Sequence, residues 1–381
     1  MTLENDIDNL NEFFFFKEFT YSQNRFKNPD GQEIEIADSI VFLGGKSFIY
    51  QLKERNVSGA TTLEKEDKWF KDKVLGKATK QIRETIVYMS DYPEIRLSNN
   101  QGHSVDVSTA DMSQLHKIIV HKPNEDLENS LREVKYHRSS TAGIIHIFQF
   151  NDYIEVVSRL ITLAEFSEYL EFRAYLVNAN DKKINGLSEA AILGHYVSGV
   201  ESPDLSEDFV QYALAIKDDS EKWDVTHIIK SYRDRVILLE EPTDYYFIIS
   251  EIAKLMRFEL GAFKERFNLS LDAARENENV KPYRFHSQRT DCSFLFLPML
   301  AKDYGEKKEL LTMYSLLNKY DLKSEKVIGV SFSYIGEGNF DIFWLFNESK
   351  WAEDKNFSKI IADTKPFREV TSKLIDRYNF E

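Results

Sequence analysis

The sequence predicts a mixed α/β chain: an N-terminal mixed sheet flanked by helices, then an α+β part. Three observations predict it. Helical and strand-like periodicities alternate over the first 150 residues in the order helix, strand, strand, helix, strand, strand. Helical spacing then dominates from about 151, before strand signals return near the C-terminus. Composition permits a real core, since 42% of the 381 residues are hydrophobic and 13% aromatic, which excludes wholesale disorder.

The elements follow in order. Leu3, Ile7, Leu10 and Phe14 recur at i, i+4, i+7 and i+11, one face of a helix. A polar loop with turn chemistry at Pro29-Asp30-Gly31 precedes two runs, IEIADSIVFL and KSFIYQLK. Both read as strands, joined at Gly44-Gly45, a good two-residue hairpin turn. Phe70, Val74, Ala78, Ile82 and Ile86 form the apolar stripe of a long helix from about Thr62 to Met89. HKIIVH (116–121) and GIIHIFQF (143–150) read as strands. NDYIEVVSRL, LAEFSEYLEFRAYLV, SEAAILGHYV, DFVQYALAI and one stretch from Tyr245 to about Ala274 read as helical. SFLFLPML is a strand, and KVIGVSFSYI and FDIFWLF make a hairpin around GEGN, with Glu337 a turn residue. No Pro/Gly/Ser linker marks the boundary, placed near residue 150.

Several classes drop out. Cys292 is the single cysteine, so neither a disulfide framework nor a multi-cysteine zinc site exists. Its apolar surroundings make it a core residue rather than a nucleophile partnered by His286. The histidines lack metal-ligand spacing, Gly44-Gly45-Lys46-Ser47 lacks the rest of a P-loop, and no G-x-S-x-G elbow occurs. No apolar run is long enough for a membrane span, and the start MTLENDIDNL carries acids where a signal peptide needs a basic patch. The expectation is a cytoplasmic protein without membrane contact.

Net charge is −14, which taken whole argues against nucleic acid. It is unevenly spread. Residues 1–150 hold 19 basic and 23 acidic side chains, and an acid-rich stretch, 201–224, lies beyond them. From Lys46 to Arg83 there are ten basic and five acidic residues, a local positive stretch suited to phosphate contacts. Within it Lys73, Lys77 and Lys80 recur at i, i+4 and i+7. Gln81 and Thr85 fall on the shoulder of the apolar stripe, where they face the sheet.

The chemistry concentrates in residues 35–55. A regular turn at Gly44-Gly45 sets Asp38 opposite Gln51, and Gln51 and Lys53 share a strand face. Asp38, Gln51 and Lys53 therefore converge on one patch. A carboxylate, an amide oxygen and the Leu52 carbonyl suit a hard divalent cation. A neighbouring lysine can activate water or stabilise charge on a phosphate.

This D-x12-Q-x-K pattern after an N-terminal helix resembles the PD-(D/E)xK nuclease superfamily, in the variant with Gln at the middle acid position. That variant occurs in Mrr-like restriction enzymes and bacterial anti-phage nuclease domains. The resemblance covers about residues 4–150. It implies a restriction-endonuclease-like fold over 1–150, with 151–381 serving sensing, oligomerisation or target choice. It also implies Mg²⁺ or Mn²⁺, held by Asp38, Gln51 and Leu52, with Lys53 catalytic. Glu12 is the best match for the acid that many members add from the first helix, with Asp8, Glu18 and Glu35 as alternatives. Two departures stand: Ala37 replaces the usual Pro, and Gln51 replaces an acid. The implied activity is endonucleolytic hydrolysis, DNA before RNA, in restriction or anti-phage defence. Duplex DNA, a homodimer or higher oligomer, and a partner protein of a defence system are the implied partners. The competing expectation is a nuclease-like fold without catalysis, acting as an interaction module.

Overall fold

The computed structural model describes residues 2–22, 24–28, 30–56, 61–216, 220–229 and 243–369. The chain is mixed α/β, with a mixed parallel and antiparallel sheet flanked by helices and a separate C-terminal sheet domain. Two compact units divide it, residues 1–217 and 218–376. The boundary expected near 150 thus falls inside the first unit, because the helices beyond it cover that unit's sheet. Among the described residues no helix is long and apolar enough to cross a membrane.

The first unit opens with α1 (Leu3–Phe15), β1 (Thr20–Tyr21), β2 (Arg25–Lys27), β3 (Glu33–Glu35), β4 (Ser39–Leu43) and β5 (Lys46–Glu54). Then come α2 (Leu63–Trp69), a π-helical segment (Phe70–Ala78) and α3 (Thr79–Asp91). β6 (Arg96–Ser98), β7 (Ser104–Asp106), β8 (Leu115–Lys122), α4 (Asn129–Arg132), β9 (Tyr136–Ser139) and β10 (Gly143–Gln149) follow. α5 (Phe150–Leu160), α6 (Leu163–Asn180), α7 (Glu189–Ser198) and α8 (Val210–Ala215) complete it.

The main sheet runs β1-β4-β5-β8-β10-β9. β5, β8 and β10 are mutually parallel at its centre, while β4 and β9 flank them antiparallel. Gly44 and Gly45 turn the β4–β5 hairpin at φ 55° and 91°, which L side chains rarely adopt. Both faces of the centre are covered, so β5 and β8 are buried along most of their length rather than at alternate residues. One face carries Phe48 and Tyr50. It packs on Phe166 of α6 at 5.8 Å and Tyr153 of α5 at 5.9 Å, with α1 joining through Phe15. The other carries Ile119, Ile145 and Ile147, covered by Phe70, Val74, Ala78 and Ile82. An unbroken i+4 stripe precesses around a pure α-helix of 3.6 residues per turn. The wider π turns over 70–78 unwind that drift and keep the stripe on the sheet.

One expected strand is divided. IEIADSIVFL is not continuous: β3 pairs with β2, while β4 pairs with β5. The break comes where Ile36 N–H turns to the Asn24 carbonyl (2.8 Å) and Asp38 N–H to the Tyr50 carbonyl (3.2 Å).

Helix α7 lies directly on the segment 209–213. A Cβ at Gly194 would come 1.9 Å from the Phe209 carbonyl oxygen, and His195 stacks on the Phe209 ring at 3.9 Å. Gly194→Ala is therefore expected to lower stability by about 1–3 kcal/mol, because backbone must move to admit one methyl. Urea denaturation of the purified variant measures it, and an unchanged midpoint contradicts the close packing.

The second unit contains α9 (Ser220–Trp223), α10 (Tyr246–Ala253), α11 (Arg257–Arg275), β11 (Tyr283–Ser287), β12 (Cys292–Pro298), α12 (Lys307–Leu322), β13 (Lys326–Gly336), β14 (Asn339–Glu348) and α13 (Lys355–Thr364). The helix expected over 245–274 is two helices. Met256 is extended, and its N–H is held by the Glu259 carboxylate at 2.8 Å, which restarts the helix. The sheet order is β11-β12-β13-β14. β12 is buried along its whole length: Phe294 and Phe296 meet Phe263 of α11, while Leu295 and Leu297 meet Leu311 of α12. Cys292 lies in this core, fully buried. Residues 217–219 of the acid-rich stretch lie outside the described residues.

Candidate active site

The β4–β5 register sums each pair to a constant, from Leu43↔Lys46 to Ser39↔Tyr50. The next position sets Asp38, just before β4, against Gln51. The geometry follows. Lys53 Nζ lies 3.1 Å from Asp38 Oδ2, 3.2 Å from Gln51 Oε1 and 2.9 Å from the Leu52 carbonyl oxygen. Asp38 Oδ2 also accepts the Leu52 N–H at 2.5 Å. Asp38 and Lys53 side chains are 11% and 12% exposed, and Gln51 is buried. An ammonium thus fills a cage of three oxygens on the sheet face covered by the π segment and α3.

These donors suit a hard cation: one carboxylate, one amide oxygen and one carbonyl already surround a positive charge. A divalent ion there requires Lys53 to swing out and the oxygens to close in. Glu12 does not join them. It accepts from the Asn100 side-chain amide instead. Among the described residues no three His, Cys, Asp or Glu side chains come together as a metal-binding group. Of the three oxygens around Lys53 Nζ, one is a carboxylate oxygen, that of Asp38.

Other acids act on the cage through their field. Asp8, on α1, accepts from Ser39 Oγ at 2.7 Å, next to Asp38 in the chain. Burial, with Glu12, Glu4 and Asp38 adding repulsion against the Ser39 hydrogen bond, pushes its carboxyl from 3.8 up to about 6. Glu4 is also raised, by burial first and then by Asp38 and Glu35. Sequence reasoning held Asp8 only as an alternative and passed over Glu4. Their i, i+4, i+8 spacing with Glu12 was the available signal. Glu35 sits exposed on β3 opposite Arg25, and Glu18 is buried.

On the covering helix, Thr85 Oγ1 donates to the carbonyls of Ile36 and Gln81. This ties α3 to the chain two residues before Asp38. Gln81 lies one turn earlier, with its Oε1 buried and unpartnered. Lys73, Lys77 and Lys80 are exposed on the solvent side, Lys80 facing Glu84 at 3.5 Å. They are not part of the cage.

No family model, curated protein or solved structure matches the chain.

Proposed function

We propose that the protein is a metal-dependent endonuclease that hydrolyses phosphodiester bonds of nucleic acid, DNA before RNA. The observation that carries this reading is the convergence of Asp38, Gln51 and the Leu52 carbonyl within 2.9–3.2 Å of the Lys53 ammonium. Asp38, Gln51 and the Leu52 carbonyl would hold Mg²⁺ or Mn²⁺. Such an ion supplies Lewis-acid polarisation and a water of lowered pKa. Lys53, released from the cage, stabilises charge on the phosphate or orients the attacking water. The exposed Lys73, Lys77 and Lys80, on the helical segment that covers this sheet, support phosphate contacts confined to one face of an acidic protein. The resemblance supports a role in bacterial restriction or anti-phage defence, with a dimer needed to cut both strands and a defence-system protein as partner; the reading further takes the protein to act in the cytoplasm.

Plasmid degradation with Mg²⁺ or Mn²⁺ tests it. Asp38→Ala and Lys53→Ala are each expected to slow cleavage by about 10²-fold or more. Equal cleavage by wild type and both variants sinks the reading. The single carboxylate favours one second reading, an interaction module without hydrolysis. Titration separates the two, because that reading predicts no Mn²⁺ binding dependent on Asp38.

A further inference from the structure

His121 is the penultimate residue of β8, and the proposed chemistry gives it no task. It is wholly buried, and neither ring nitrogen has a hydrogen-bond partner. Buried polar atoms normally find partners, so two orphans on one ring call for a cause. The nearest contact described is apolar, the Phe70 ring edge-on at 5.1 Å, where the π segment begins. Burial first, then Arg132 and Lys135, depresses the imidazole to a pKa of about 3. The ring is therefore neutral and carries one free lone pair.

Its position in the sheet supplies the candidate partner. His121 is in register with Lys53 on one side and Gln149 on the other. Residues in register on neighbouring strands share a face, with backbones about 4.8 Å apart. Lys53, His121 and Gln149 thus form a polar row near the C-terminal ends of three parallel strands. Gln149 donates its amide to the Arg132 carbonyl at 3.3 Å. Lys53 spends its three N–H donors on Asp38, Gln51 and the Leu52 carbonyl. Any event that takes those oxygens frees all three donors at once, beside an acceptor that has none.

We propose that His121 is a positioning residue for Lys53: when Asp38, Gln51 and the Leu52 carbonyl turn to a divalent cation, the Lys53 ammonium leaves them and donates to the His121 lone pair. The lysine has two seats, and the second lowers the cost of vacating the first. The inference rests on the metal reading of the preceding subsection. Arg132 and Lys135 serve it by keeping the imidazole unprotonated.

The experiment is a double-mutant cycle read by Mn²⁺ titration of the full chain, with no activity assay. His121→Leu is expected to weaken Mn²⁺ binding about tenfold where Lys53 is present, and to have no effect in a Lys53→Met background. His121→Gln, which keeps an acceptor, is expected to bind like wild type. Equal binding by wild type and His121→Leu overturns the inference while leaving the metal reading intact. Equal weakening in both backgrounds also overturns it, since that marks a merely structural role. Absence of Asp38-dependent binding in wild type and in Lys53→Met overturns the metal reading and this inference together. Should His121→Leu not fold, the ring ¹⁵N shifts of His121 in wild type decide. Saturating Mg²⁺ is expected to move the lone-pair nitrogen to its hydrogen-bonded position, and an unmoved signal overturns the proposal.

Discussion

Arg173→Met is expected to destabilise the N-terminal unit by about 3–5 kcal/mol, the cost of removing one partner from a buried ion pair. Arg173, on α6, is fully buried. Its Nε and Nη2 meet the two Glu189 oxygens at 2.9 and 3.1 Å. Nη1 donates to the Lys135 carbonyl at 2.7 Å and Nη2 to the Ile147 carbonyl at 2.9 Å. Nη1 also lies 3.2 Å from His146 Nδ1, and the guanidinium covers the Phe148 ring at 4.2 Å. One side chain thus ties α6 to α7, to β10 and to the segment before β9. Burial alone would raise the Glu189 carboxyl, but Arg173 and Lys135 hold it below its ordinary value. Without Arg173, Glu189 stays buried with only Lys135 (3.6 Å) as a cation, and two carbonyls lose donors. For a unit of this size the melting temperature should fall by roughly 2–4 °C per kcal/mol. Thermal unfolding followed by circular dichroism measures it. A loss below about 1 kcal/mol shows that the network contributes little beyond packing.

The second large effect has the opposite sign. Asp8 titrates near 6 in the folded chain against 3.8 as its ordinary value. A carboxyl whose folded pKa is raised binds its proton more tightly in the native state. Its contribution to stability is fully present below about pH 4 and is lost as pH rises through about 6. Ionised Asp8 therefore costs stability at neutral pH, at most about 3 kcal/mol, and about 1–2 kcal/mol once solvent screening of a half-buried group is counted. Asp8→Asn keeps an acceptor for Ser39 Oγ and removes the charge. It should match wild type at pH 4 and exceed it at pH 7.5, with a flatter slope between. Urea midpoints across pH 4–8 test this, and parallel curves for the two proteins would refute it.

How much of this was legible in the sequence differs by element. The Gly-Gly hairpin was readable because φ > 0 at both positions and alternation on either side leave one register. From that register the meeting of Asp38, Gln51 and Lys53 followed, since it needs only one hairpin. The stripe from Phe70 to Ile86 was readable as a helix, but its π-helical portion was not: i+4 spacing fits either winding, and the sheet beneath chooses. The break between β3 and β4 was hidden because Ile34, Ile36 and Ile40 read as one run. What divides them is the Asn24 carbonyl, twelve residues upstream of Ile36.

The acid of the first helix shows the limit most clearly. The resemblance made Glu12 the best match, whereas tertiary packing turns Glu12 to Asn100 and sets Asp8 against Ser39. His121 was only a polar letter inside a strand until the parallel β5–β8 register put it beside Lys53. By itself, then, the sequence determined the α/β class, the central hairpin and the three residues it gathers, because those depend on local periodicity and one tight turn. The tertiary structure decided how far the first unit extends, which acids bear on Asp38 and what stands next to Lys53. Those depend on contacts between segments far apart in the chain, and no local pattern encodes them.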